Sequence, residues 1–95
     1  MSGDNHEGML SIIKEMERFH EDLEFEYVIG ENEFYVNILG KINISRITVG
    51  KSCYADFESI DDSGKTLLFE HIDDARDGRI FAAHASKIII IASEN

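Results

Sequence analysis

MLSIIKEMERFHEDLEFEYVIGENEFYVNIL, residues 9–39, changes its hydrophobic period midway, and that change decides the fold. Up to Leu23, the apolar residues Met9, Ile12, Ile13, Met16, Phe19 and Leu23 recur at the spacing of one helical face. Lys14, Glu15, Glu17, Arg18, Glu21 and Asp22 fill the opposite side. From Glu24 the period is two. Phe25, Tyr27 and Ile29 alternate with Glu24, Glu26 and Val28, the pattern of a strand with one wet face. Gly30-Glu31-Asn32 makes a short turn, and Phe34, Val36 and Ile38 then alternate with Tyr35, Asn37 and Leu39. The two runs predict a β-hairpin that follows an amphipathic helix.

Upstream, Asp4 or Asn5 can cap the helix, and Glu7 sits well near its positive end. Ser2-Gly3-Asp4-Asn5 has no apolar anchor, so residues 1–6 are expected to be a disordered tail. Downstream, Ile42 and Ile44 share one parity whereas Ile47 and Val49 share the other. A strand must keep parity to bury one face, so a β-bulge or break is expected near Ser45-Arg46. Cys53, Ala55 and Phe57 alternate with Tyr54, Asp56 and Glu58. Asp61-Asp62-Ser63-Gly64 is a turn by composition, and Thr66 to His71 a strand. Asp77-Gly78 reads as a second turn. Two strands are expected after it, Ile80 to Ala83 and the wholly apolar Ile88 to Ile91.

There is no proline, repeat or linker, so residues 1–95 form a single domain. The expected class is α+β: an N-terminal amphipathic helix packed on a mostly antiparallel sheet of five to six strands, since the apolar helix face needs a sheet face to cover. The stretch His84-Ala85-Ser86-Lys87-Ile88-Ile89-Ile90 resembles the closing strand of a small Sm-like or SH3-like barrel. That resemblance implies the alternative, a barrel with an N-terminal helix.

Charge narrows the function. Nineteen acids against nine Lys and Arg give a formal net charge of −10. Such a surface repels nucleic acid, whose binding rests on neutralised phosphates, and anionic membranes as well. No apolar run approaches the roughly 18 residues that a membrane-spanning helix needs. The polar, acidic N-terminus lacks the pattern of a secretory signal, so a cytoplasmic protein is expected. The lone Cys53 excludes an intrachain disulfide and reads as a small buried hydrophobe. The charge is uneven. Acids crowd residues 1–33 and again Asp56 to Asp77, and the segment between, 34–55, carries only Lys41, Arg46 and Lys51.

No pattern for chemistry emerges. Asp73, Asp74, Asp77 and Gly78 miss the spacing of a calcium loop, and loop aspartates ordinarily bond their own backbone. His6, His20, His71 and His84 form no zinc pattern, and with one cysteine no metal site or cofactor is expected. His71 and His84 fall near expected strand ends, where with Asp73 they could meet for acid–base work. Gly64-Lys65-Thr66 ends like a phosphate-binding loop, but Ser59 stands where the pattern needs glycine, and Thr66 opens a strand rather than a helix. No catalytic residue is assigned, and the chain is not expected to be an enzyme.

The expectation is a small acidic protein-binding module or inhibitor that occludes a basic surface of a partner protein. In size and charge it is similar to immunity proteins against basic nuclease toxins and to phage-encoded inhibitors. The residues expected at that contact are Glu15, Glu17, Tyr54, Asp61, Asp62, Asp73, Asp74 and Asp77. One alternative is a structural protein that forms a homodimer through an apolar edge strand at Ile88 to Ile91. The other is a small enzyme using His71 and His84.

Overall fold

The computed structural model describes residues 4–94, with side chains from His6 onward. Seven elements follow in order: α1 (Asp4–Glu17), β1 (Glu24–Ile29), β2 (Phe34–Leu39), β3 (Ile44–Val49), β4 (Ala55–Ile60), β5 (Thr66–Ile72) and α2 (Gly78–Ala92). The class is α+β, with two helices and one five-stranded antiparallel sheet. The strands lie in sequence order, β1-β2-β3-β4-β5, and no β5–β1 pair closes a barrel among the described residues. Each strand reaches the next through a short turn, the simplest connection for antiparallel neighbours.

The sheet has a dry face and an open one. Phe34, Val36, Ile38, Ile47, Val49, Ala55 and Phe57 alternate into the core and are essentially excluded from solvent. α2 lies over β2, β3 and β4 on this face. It buries Phe81, Ala85, Ile88, Ile89 and Ala92, a stripe at helical spacing. The Phe81 ring meets Phe57 at 5.5 Å between centroids. Burying each such ring contributes roughly 1.5–3 kcal/mol. α1 packs on α2 through the buried Met9 and Ile13. It reaches the sheet through side chains: the His6 Nε2–H donates to the Gly50 carbonyl at 3.2 Å, and the Tyr27 hydroxyl donates to Glu17 at 2.7 Å.

α2 is the main correction to the sequence reading. The segments expected as strands at Ile80 to Ala83 and Ile88 to Ile91 are one helix, which also removes the barrel's closing strand and the apolar edge expected to form a homodimer. Asp77-Gly78 is not a hairpin turn. Asp77 caps the helix, accepting from the backbone N–H of Arg79 at 3.0 Å and of Ile80 at 3.4 Å. At the far end Asn43, itself buried, donates to the Ile91 carbonyl at 3.0 Å. A Cβ on Gly40 would stand 1.8 Å from the Ala92 carbonyl oxygen, so glycine lets the end of α2 rest on the β2–β3 turn. Burial on the sheet outweighs the β-preference of four successive isoleucines.

The expected bulge at Ser45-Arg46 is absent. β3 pairs without interruption from Ile44 to Val49 against both neighbours. Its inward residue is Ser45 and its outward residue Ile44, the reverse of what polarity suggests. The irregularity lies instead between β4 and β5, at Ser59-Ile60. Ser45 is tolerated inside because its hydroxyl donates to the Ile88 carbonyl at 2.7 Å and accepts from the Ser59 hydroxyl at 2.7 Å.

Three smaller corrections follow. α1 ends at Glu17 rather than running to Leu23, and tightened i→i−3 bonds close it at Arg18, Phe19 and His20. Phe19 is therefore 76% exposed, and Leu23 reaches the core from the following turn. Cys53 is half-buried in the β3–β4 loop with a φ of 64°, not in a strand. The helix already includes Asp4 to His6, which shortens the expected tail; residues 1–3 and the capping side chains of Asp4 and Asn5 lie outside the described part.

Candidate interaction face

Opposite the helices, one whole face of the sheet carries no covering element among the described residues. Register fixes what it presents. An upper row runs Val28, Tyr35, Thr48, Asp56, His71, a middle row Glu26, Asn37, Arg46, Glu58, Phe69, and a lower row Glu24, Leu39, Ile44, Ile60, Thr66. Large apolar groups stand in water here: Phe69 is 57% exposed, and Val28 and Ile44 more than 40%. Leu39, Ile44 and Ile60 adjoin across β2, β3 and β4 in the lower row, a contiguous apolar strip of the kind a contact surface carries.

Arg46 occupies the centre. Its Nε donates to Asn37 at 2.7 Å, and its guanidinium lies 4.5 Å from the Tyr35 ring centroid. The cation is thus stacked on an aromatic and held toward β2. Glu58 is its direct partner across the β3–β4 ladder, yet no ion pair or hydrogen bond joins the two among the described residues. Beside them lies a shallow depression of about 260 Å³, lined by Asn37, Ile44, Ser45, Arg46, Glu58 and Ile60.

A second cluster sits at the upper corner. His71 bonds Asp56 through Nδ1 at 2.5 Å and Asp73 through Nε2 at 3.0 Å. A neutral imidazole has one N–H and can donate to only one of these carboxylates; the imidazolium donates to both. The hydrogen bond His71 donates to Asp56, then that to Asp73, accordingly raises its pKa above the ordinary value. The Tyr54 ring tilts against His71 at 5.6 Å and covers Gly50, where a Cβ would lie 2.0 Å from the ring.

His84 does not join this cluster. It lies on α2, stacked on Phe57 at 5.2 Å, with its Nδ1–H donating to the Ile80 carbonyl at 2.9 Å. Its other nitrogen faces Glu70 at 3.5 Å, and Glu70 also pairs with Lys87 at 3.1 Å. Glu70 and His71 are adjacent in β5 and point to opposite faces, so the two histidines serve opposite sides of the sheet.

Most of the acids expected at a contact serve local structure. Asp61 accepts from the Ser63 hydroxyl and from the N–H groups of Ser63 and Lys65, which lower its pKa. Asp74 takes the Arg76 side chain at 2.7 Å, which with the Arg76 N–H lowers its pKa to about 2. Asp77 caps α2 and Glu15 pairs with Arg18 at 3.1 Å. Glu17 holds the Tyr27 hydroxyl, whose pKa is raised by burial and by that carboxylate. Asp62 is exposed in the β4–β5 turn. Asp61 and Asp62 lie at one end of β5 and Asp73, Asp74 and Asp77 beyond the other, so the eight residues do not form one patch. Only Tyr54 and Asp73 touch the open face, at its margin. Lys41 and Lys51 occupy the turns at the two ends of β3, so the basic segment runs along that central strand. The signal missed in the sequence was the outward parity of β3 to β5, hidden by the inversion at Ile44 and Ser45.

No helix among the described residues is long and apolar enough to cross a membrane, and no described group of three or more His, Cys, Asp or Glu could hold a metal ion. Comparison with protein-family models, with curated proteins and with solved structures found no match for this chain.

Proposed function

We propose that this chain is a small protein-binding module that lays its open sheet face on a basic surface of a partner protein and occludes it, in the manner of an immunity protein or a small inhibitor. The observation that carries the reading is the composition of that face. Phe69, Val28 and Ile44 stand exposed on it, half-buried Tyr35 adjoins Val28, and Glu24, Glu26, Asp56 and Glu58 add carboxylates to the same face. Aromatic and aliphatic groups bury well at the centre of an interface, and carboxylates steer a basic partner. The net charge of −10 adds long-range attraction for the same partner.

The test begins with crosslinking in the native host and identification of the captured protein. Titration calorimetry of the purified pair then follows at low and high salt. Affinity is expected to fall with salt and to drop at least about tenfold in Phe69→Ser, the scale of an interface anchor. Affinity that is flat in salt, or unmoved by Phe69→Ser, refutes the reading.

A further inference from the structure

We infer that the depression beside Glu58 is a receptor for an arginine side chain of the partner; the inference rests on the binding-module reading and names its anchor point. Glu58 is half-buried in the middle row, between Arg46 on β3 and Phe69 on β5. Its natural cross-strand mate has turned away: Arg46 is bonded to Asn37 at 2.7 Å and stacked on Tyr35 at 4.5 Å. Glu58 is therefore a carboxylate without an ion pair among the described residues, set in a face whose central cation is already engaged elsewhere.

The walls fit the rest of the guest. Ile44 and Ile60 are direct cross-strand partners and line the depression, offering an aliphatic surface to a three-carbon stem. Phe69 does not line the depression, but it stands directly across from Glu58 on β5, 57% exposed, and offers a ring face to the planar end of the guest. A guanidinium can meet the carboxylate with two parallel hydrogen bonds while it lies on the ring; an ammonium is a point charge and gains less from both. The polar groups around the site are Arg46 on β3, Asn37 on β2 and Asp56 on β4 itself. Of these only Arg46 opposes a cation, so its removal favours the guest.

The experiment uses the full chain and the blocked tripeptide acetyl-Gly-Arg-Gly-amide, followed by side-chain NMR. Saturable shifts are expected at the Ile44 and Ile60 methyls and the Phe69 ring. Glu58→Gln weakens the peptide about fivefold or more, and Arg46→Gln tightens it. Glu58 makes no bond that folding needs, and the spectrum of each variant reports whether the fold is intact. The inference is overturned if the shifts fall on other acids, if Glu58→Gln leaves binding unchanged, if Arg46→Gln weakens it, or if no saturable shift occurs. Equal binding of the lysine tripeptide overturns the guanidinium assignment. Each of these failures leaves the function reading to its own test, the salt dependence and Phe69→Ser response of the partner complex.

Discussion

Ser45→Ala is expected to be among the most damaging single-oxygen deletions in the molecule, and more damaging than Ser59→Ala. Both hydroxyls are fully excluded from solvent. Ser45 has one hydroxyl proton, and it goes to the Ile88 carbonyl at 2.7 Å. The 2.7 Å contact between the two serines must then use the Ser59 proton, so the chain runs Ser59 to Ser45 to α2. Ser59→Ala removes one donor and leaves Ser45 bonded to the helix, a loss of about 1 kcal/mol. Ser45→Ala removes the link between sheet and helix and strands the Ser59 proton in a dry interior, a loss of about 2 kcal/mol. The double variant has no stranded donor and should lose only about 1 kcal/mol, well short of the additive value. Urea unfolding of the four proteins measures this cycle directly. In a domain of this size each kcal/mol moves the thermal midpoint by about 4–8 °C, so heating gives an independent reading. A Ser45→Ala protein within about 0.5 kcal/mol of the parent, or strict additivity in the double variant, refutes the reasoning.

Asp77→Ala tests the start of α2. Two backbone N–H groups lose their acceptor, and urea unfolding should register a loss of about 0.5–2 kcal/mol; Asp77→Asn should recover most of it. His71 gives a pH dependence. Its pKa is raised in the folded state, first by Asp56 and then by Asp73, so its contribution is fully present below the unfolded value of about 6.5 and is lost as pH rises through the folded value. The thermal midpoint should fall across that window in the parent and less in His71→Asn. Imidazole NMR should place the His71 titration above 6.5 and move it down in Asp56→Asn; a midpoint at or below about 6.5 in the parent refutes the bridge.

The parts of the fold legible in the sequence are those where polarity and burial agree. The β1–β2 hairpin, the alternation through Ala55 and Phe57, and the turn at Asp61 to Gly64 follow that rule, and the structure has each of them. β3 breaks it at two adjacent positions. Ser45 is inside because two partners satisfy its hydroxyl, and Ile44 is outside because it belongs to the open face. Neither partner is near in sequence, so no local pattern could reveal them. The α2 stripe was present as Phe81, Ala85, Ile88, Ile89 and Ala92. Its alanines are weak hydrophobic signals but strong helix formers, and beside four isoleucines they were outweighed. Phe19 failed differently: it fits the helical spacing but stands past the point where α1 ends.

The local bonds of the loop acids expected at a contact have a related physical cause. Acid-rich loops draw attention in a chain of net charge −10, but a loop spends its acids on itself. Asp61 closes a turn, Asp74 holds Arg76 and Asp77 starts a helix. Strand acids have no such backbone task, since the ladder already satisfies the neighbouring N–H groups. Glu24, Glu26 and Glu58 make no hydrogen bond or ion pair among the described residues, and all three project from the open face. On β1, Glu24 and Glu26 also guard a sheet edge against pairing with another chain. Glu58 guards no edge, because β4 is flanked on both sides. In mid-sheet Glu58 has Arg46 as its direct cross-strand neighbour, but that guanidinium is bonded to Asn37 and stacked on Tyr35 and makes no ion pair with it among the described residues. On the proposed reading Glu58 meets a cation of the partner, and this is the physical reason to look for the partner first at Glu58.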